Sequence, residues 1–213
     1  MVQDFIQRIL LTAPPVLFAL TVHECAHAWV ASRLGDPTAK AFGRVSLNPL
    51  RHLDPIGTVA LFLTGMFGWA KPVPINPMNF KNPSKGLMLT AIAGPLANIT
   101  LAALSAVVYK LVFVDGDGFF MAMHGVYMPL EIMVKVSIVL NVSLAVFNLI
   151  PIPPLDGSRV LSHFLPMQKA FAFARMEPYG FIILMALIMT GVIDKVISPV
   201  VYFTAGILTG GVF

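Results

Sequence analysis

Three side chains in an apolar stretch near the start of the chain have the types and the spacing of a zinc site. They are His23, Glu24 and His27 of the sequence His-Glu-Cys-Ala-His. If this stretch is helical, the histidines share a face, so both imidazoles can reach one ion. Glu24 would stand beside the ion, where a carboxylate takes a proton from water. A chance match on a helix is the alternative, but ionisable residues within an apolar span are costly and indicate function.

A second polar cluster follows a long apolar span and supplies a candidate third ligand. Asn148 opens the sequence Asn-Leu-Ile-Pro-Ile-Pro-Pro-Leu-Asp-Gly, which ends at Gly157. Its prolines forbid a regular helix, so the chain must unwind there. Unwound backbone at membrane depth is tolerated only against protein or a water-filled cavity. Asp156 at its end is a natural third partner for two imidazoles. The alternative is that Asp156 only caps a short helix.

The composition indicates a membrane protein. Of the 213 residues, 57% are hydrophobic and 11% are charged, whereas soluble domains carry about 25% charged residues. The length allows about four to six membrane segments, and we expect residues 1–213 to form a single membrane-embedded domain. The net charge of +4 is not gathered into a basic stripe, which argues against nucleic-acid binding. The single cysteine, Cys25, excludes a disulfide framework and a cysteine-rich zinc ribbon.

The apolar runs predict an all-α polytopic membrane protein. Runs near residues 5–31, 86–114 and 127–149 are long enough to cross a bilayer. Pro14 and Pro15 should bend or interrupt the first of them. The remaining apolar sequence leaves room for further spans.

The sequence between the first two spans predicts a small β element. Residues 42–48 alternate in the manner of a strand, and residues 70–77 look extended. Pro72 and Pro74 cannot donate ladder hydrogen bonds, which confines the second segment to a sheet edge or an unpaired chain. The apolar run at residues 55–69 is short for a crossing. We therefore expect this part of the chain to re-enter the membrane or to lie at its interface.

The basic residues indicate how the chain is oriented. Ten of the 14 Lys and Arg residues fall within residues 33–85 and 159–175. Such an excess marks the cytoplasmic side of a membrane protein. Because Arg33 follows the His-Glu-Cys-Ala-His motif closely, we expect the metal site to open toward the cytoplasm.

Three separated motifs resemble the site-2 proteases, intramembrane zinc metallopeptidases that cut transmembrane segments of membrane-anchored proteins. The motifs are His23–His27, Ala93–Asn98 and Asn148–Gly157. The chain is most similar to the short prokaryotic branch, which lacks PDZ and CBS domains. The resemblance implies a site-2 protease-like transmembrane core in the cell membrane, with the lipid bilayer and a membrane-anchored protein substrate as partners.

The resemblance also assigns roles to single residues. The Zn²⁺ ligands would be His23, His27 and Asp156. Glu24 would be the general base of a metalloendopeptidase, and Asn148 would contact the substrate near the scissile carbonyl.

A further histidine lies in a stretch that is similar to this branch. His52 could donate a hydrogen bond to the developing oxyanion of the substrate. A solvated or salt-bridged position beside Arg51 and Asp54 is the alternative.

Two other classes of function remain open on the sequence alone. A transporter or metal-ion permease would line its pathway with intramembrane His, Glu, Asp and Asn side chains. Transporters often contain internal repeats, and this sequence shows no second copy of the His-Glu or Leu-Asp-Gly segments. An inactive scaffold is the third possibility, and the intact ligand and base residues argue against it.

Overall fold

A computed structural model of the protein describes residues 2–64, 70–116 and 124–211. Four helices in these ranges are long and apolar enough to cross a membrane. They are α1 (Val2–Arg33), α4 (Pro83–Tyr109), α5 (His124–Asn148) and α9 (Val192–Thr209). The shorter helices are α2 (Thr38–Ala41), α3 (Pro55–Thr64), α6 (Asp156–Phe164), α7 (Met167–Ala174) and α8 (Glu177–Met189). The prediction of a mostly helical protein with several helices long and apolar enough to cross a membrane is confirmed.

The ends of the long helices follow from the sequence. Helix α1 continues through Pro14 and Pro15, so the chain is not interrupted there. It ends at Arg33 because Gly35 takes a positive φ of 111°, a backbone conformation that glycine adopts easily. Helix α4 is extended by a π-helical turn at Lys110–Val114. Helices α7 and α8 together are apolar enough for one further span, which is broken by a bend of 66°.

The predicted strand at residues 42–48 is wrong. These residues form a turn and bends because polar side chains there bond to nearby main-chain groups. The hydroxyl of Ser46 accepts a hydrogen bond from the N–H of Asn48 at 3.1 Å. The side-chain oxygen of Asn48 accepts another from the N–H of Leu50 at 3.0 Å and caps a short 3-10 helix. Local bonds of this kind compete with pairing between strands.

Residues 70–76 carry no regular structure beyond one isolated bridge, between Leu53 and Ala70. The N–H of Lys71 donates to the carbonyl of His52 at 2.8 Å. Among the residues that the structure describes there is no strand, so the expected β element is not formed by them. Helix α3 covers about 15 Å, too short for a crossing, and residues 65–69 of the same run lie outside the described ranges.

The chain divides into two compact units. The first unit is Met1–Ala19, Asn98–Asn148 and Phe181–Phe213, and the second is Leu20–Ala97 and Leu149–Gly180. The first unit contains the packing of α5 against α9. The second unit contains both histidines of the first motif and the aspartate of the last.

Buried amides hold the helices of the first unit together. The amide of Asn98 in α4 donates to the side-chain oxygen of Asn141 in α5 at 2.7 Å. The amide of Asn141 donates in turn to the carbonyl of Ser137 at 2.8 Å. Asn141 is fully buried, as expected for an amide that points into the bundle instead of the lipid.

Candidate metal centre

Helix α1 presents His23 and His27 on one face. Their Nε2 atoms lie 3.0 Å apart, and both side chains are buried. The Nδ1 atom of His27 donates to the main-chain carbonyl of Thr90 in α4 at 2.7 Å. Because this bond fixes the position of the ring proton, the Nε2 atom of His27 keeps its lone pair for a cation.

Asp156 reaches the same point from the first residue of α6. Residues 149–155 are not helical, as their prolines predict. The Oδ2 atom of Asp156 lies 3.3 Å from Nε2 of His23 and 3.2 Å from Nε2 of His27. A Cβ atom on Gly157 would lie 2.2 Å from the first carbonyl oxygen of the unwound segment. Glycine therefore allows α6 to begin against that segment and to present the carboxylate.

The three side chains fit a single zinc ion. Their ligand atoms all lie within 4.8 Å of one another. Zinc bonds of about 2.0–2.2 Å in a tetrahedral site separate the ligand atoms by about 3.3–3.6 Å, and the observed separations are 3.0–3.3 Å. Oδ2 of Asp156 is buried, and the two Nε2 atoms are the polar groups that approach it. Buried acceptors this close repel one another unless a cation lies between them, and two imidazoles with one carboxylate are a ligand set of zinc hydrolases.

A glycine of α4 makes room for both imidazoles. A Cβ atom on Gly94 would lie 2.4 Å from Nε2 of His27 and 2.6 Å from Nε2 of His23. A larger residue would therefore displace the metal ligands. The sequence assigns Gly94 only to helix packing as a small residue in lipid. Its place before Pro95 in the second motif was the signal in the sequence that could have indicated a role at the metal centre.

Glu24 lies beside His23 and is partly exposed. Arg44, in the segment after α2, is buried and donates from Nη2 to the main-chain carbonyl of Lys71. Burial lowers the pKa of Arg44, and the carboxylate of Glu24 opposes this by raising it. The two charges therefore interact electrostatically at the edge of the metal centre, which the spacing of the sequence did not reveal.

His52 is buried, so its alternative interpretation as a solvated histidine is wrong. Its Nε2–H donates to the carbonyl of Ser46 at 2.7 Å. His52 thus fixes the bend at Ser46 to the end of the short 3-10 helix. A hydrogen bond from His52 to an oxyanion stays a prediction, since this N–H already has an acceptor.

Asn148 is the last residue of α5. Its amide donates to the carbonyl of Leu144, one helical turn earlier, at 2.9 Å. This bond orients the side chain at the point where the helix ends. The predicted contact between Asn148 and the substrate stays a prediction.

Comparisons with known proteins agree with this centre. The family model "Peptidase family M50" matches residues 120–191, which contain Asp156. "Putative zinc metalloprotease YwhC" of Bacillus subtilis is 40% identical over 185 residues, which cover 86% of this chain and 82% of YwhC. "Putative zinc metalloprotease Rip2" of Mycolicibacterium smegmatis is 29% identical over 194 residues, covering 88% of this chain and 70% of Rip2. Rip2 of Mycobacterium tuberculosis strain H37Rv is 27% identical over 191 residues with the same coverage. No solved structure matches the chain significantly. The chain therefore belongs to peptidase family M50, the family of the site-2 proteases, as its three motifs predict.

Proposed function

We propose that this protein is an integral membrane zinc metallopeptidase that hydrolyses a peptide bond within or near the transmembrane segment of a membrane-anchored protein. The observation that carries the proposal is the buried group of His23, His27 and Asp156, to which a helix apolar enough to cross a membrane contributes two members. The relatives named as zinc metalloproteases support zinc as the metal and peptide hydrolysis as the reaction.

The chain supplies both the metal ligands and the base that hydrolysis requires. His23, His27 and Asp156 would hold Zn²⁺, which when bound polarises a carbonyl and lowers the pKa of water. Glu24 would take the proton of the attacking water and return it to the leaving amine. Asn148 would donate its amide to the substrate near the scissile bond.

The position of the metal centre in α1 supports access from the cytoplasm. His27 lies six residues before Arg33, so the centre is about 9 Å from that end of the helix. The excess of basic residues at this end is the arrangement found on cytoplasmic sides. Cysteine labelling should therefore reach residues 40 and 81 from the cytoplasm. Labelling of these two positions from opposite sides would contradict the orientation.

A transmembrane helix hides its peptide carbonyls, so the substrate must unwind before hydrolysis. Residues 70, 71 and 76 already have main-chain partners, but residues 72–75 between them have none among the described residues, so an unwound peptide could add there as a strand. The bends in residues 43–48 make that segment unsuitable for the same role. Substrates with Gly, Pro or Asn near the cut should therefore be preferred over uninterrupted leucine helices.

The test uses the full chain purified in detergent, with zinc measured by elemental analysis. The substrate is a synthetic transmembrane peptide with an Asn-Pro break. Wild type should hold about one zinc per chain and cut the peptide, and chelation should stop it. Glu24→Gln should keep zinc and lose cleavage, whereas His27→Ala should lose both. Normal cleavage by Glu24→Gln would refute the mechanism. Zinc flux into vesicles without any cleavage would favour the permease instead.

A further inference from the structure

A groove of about 780 Å³ in the second unit is not used by the chemistry described above. One wall is formed by α6, the helix that begins with the metal ligand Asp156. Ser158, Arg159, Ser162 and His163 line this wall. Their spacing places them on one face of α6. This wall of the groove is therefore polar throughout.

The facing wall is formed by α7 and is apolar. Met167, Ala170, Phe171 and Ala174 line it, at the spacing of a single helical stripe. Met167 is 76% exposed and Phe171 is 65% exposed. Nothing in the described part of the chain covers these side chains, so the groove is open to a ligand with one polar and one apolar side.

The remaining lining links the groove to the metal centre. Ser158 is two residues after Asp156, a rise of about 3 Å along α6. Val73 and Ile75 of the unpaired extended segment also line the groove. At the far end, the hydroxyl of Ser84 and Nδ1 of His163 form a hydrogen bond of 2.9 Å. From Asp156 to His163 the helix rises about 10 Å, the length of about three residues of extended peptide.

We propose that this groove binds the cytoplasmic juxtamembrane segment of the substrate, the amphipathic stretch of peptide between its membrane span and water. The inference rests on the proposed peptidase function. An amphipathic peptide matches both walls, whereas a phospholipid could match them only with its headgroup on α6 and its tail on α7. Main-chain groups of such a peptide can also pair with the segment at Val73 and Ile75, which an acyl chain cannot do. The groove thus recruits substrate a few residues from the scissile bond.

A kinetic experiment tests this assignment with two synthetic transmembrane substrates. One carries an amphipathic juxtamembrane segment, and in the other that segment is replaced by Gly and Ser. Ala170→Trp fills the groove, whereas Ala172→Trp is a matched control on an exposed position of α7 outside the lining. Ala170→Trp should raise KM for the first substrate about tenfold, the effect of one lost anchor contact, without changing kcat or zinc content. It should leave KM for the second substrate unchanged, and the control should change neither.

A binding experiment keeps the test independent of hydrolysis and of the tryptophan variant. A photo-reactive amino acid is placed at Phe171, or at Ala172 as control, in Glu24→Gln protein reconstituted in vesicles. Crosslinking of the juxtamembrane segment from position 171 and not from 172 supports the groove, even if the wild-type protein hydrolyses no peptide and the proposed function fails. Equal crosslinking from both positions, crosslinks to lipid alone, or an unchanged KM in Ala170→Trp would overturn it.

Discussion

Replacing Gly94 by Ala tests the metal centre through a residue that is not itself a ligand. The new Cβ atom would lie 2.4 Å from Nε2 of His27, and ordinary contacts begin at 3.4 Å. Either α4 or the imidazole must therefore move by about 1 Å. His27 cannot turn away cheaply, because its Nδ1–H is held by the carbonyl of Thr90. His23, at 2.6 Å, meets the same Cβ atom.

The expected effect is large because both imidazoles are displaced together. A misplacement of about 1 Å can cost about 100-fold in rate, and disturbed support of a metal ligand costs about 10–100-fold in affinity. We expect Gly94→Ala to hydrolyse a transmembrane test peptide at least about 100-fold more slowly and to lose zinc on dialysis. Elemental analysis and initial rates measure both effects, and circular dichroism shows whether the helices remain.

Gly206→Ala is the matched control for this substitution. Gly206 lies in α9, and a Cβ atom there meets nothing within 4 Å. This variant should keep zinc and activity and gain about 0.5–1 kcal/mol of stability, as alanine does in a helix. If Gly94→Ala also keeps one zinc per chain and the wild-type rate, then the arrangement of α1 and α4 at the metal centre is wrong.

Two further predictions concern stability. Burial raises the pKa of Asp36, but its hydrogen bonds, including those from the Asn76 N–H and the Asn79 amide at 2.7 Å, lower it overall. The contribution of Asp36 to the free energy of unfolding is therefore present above the unfolded pKa of about 3.9 and is lost as pH falls through the lower folded value. Asp36→Asn should cost about 2 kcal/mol at pH 7 and should flatten this acid dependence in thermal unfolding. An unchanged pH profile would refute the assignment. Asn141→Leu should cost about 1–2 kcal/mol by removing the acceptor of Asn98 while zinc content stays at the wild-type level, and a loss of zinc would contradict it.

The sequence was most informative where a local pattern fixes the geometry. In a helix, residues four apart share a face, so the approach of His23 and His27 could be predicted without knowing the fold. Pro14 and Pro15 lie within α1, but the three prolines within four residues at Pro151–Pro154 remove too many helical hydrogen bonds, so the unwound segment before Asp156 was also predictable. The close contact of Gly94 with the two imidazoles was not predictable, because it depends on how closely α1 and α4 approach. That distance is set by packing between segments about 70 residues apart.

The predicted strand fails for a physical reason that the alternating pattern cannot show. Alternation at residues 42–48 describes only which side chains are apolar. The hydroxyl of Ser46 and the amide of Asn48 offer the main chain nearer partners than a second strand would. Pro72 and Pro74 remove donors from the segment that would have paired with it. Local hydrogen bonding in one segment and missing donors in the other therefore prevent a ladder between them.

Buried polar side chains position residues 70–76 near the metal centre, as pairing in a sheet would have done. Asp36 holds the main chain at Asn76, and Arg44 holds it at Lys71. The N–H of Lys71 in turn donates to the carbonyl of His52. Asp36 and Arg44 are less than 5% exposed, so losing either side chain leaves a buried main-chain group without its partner. The position of residues 70–76 thus depends on a few side-chain bonds.

This dependence separates substrate binding from metal binding in a measurable way. None of Asp36, Arg44 and His52 belongs to the group of metal ligands. If an unwound substrate pairs with residues 70–76, then His52→Phe should raise KM for a transmembrane peptide several-fold while zinc content is kept. It removes the hydrogen bond that the His52 side chain donates to Ser46, worth about 1 kcal/mol, and so loosens the loop whose carbonyl at residue 52 accepts from Lys71. Loss of zinc with an unchanged KM would instead assign His52 to the metal centre and contradict the role of residues 70–76 in binding.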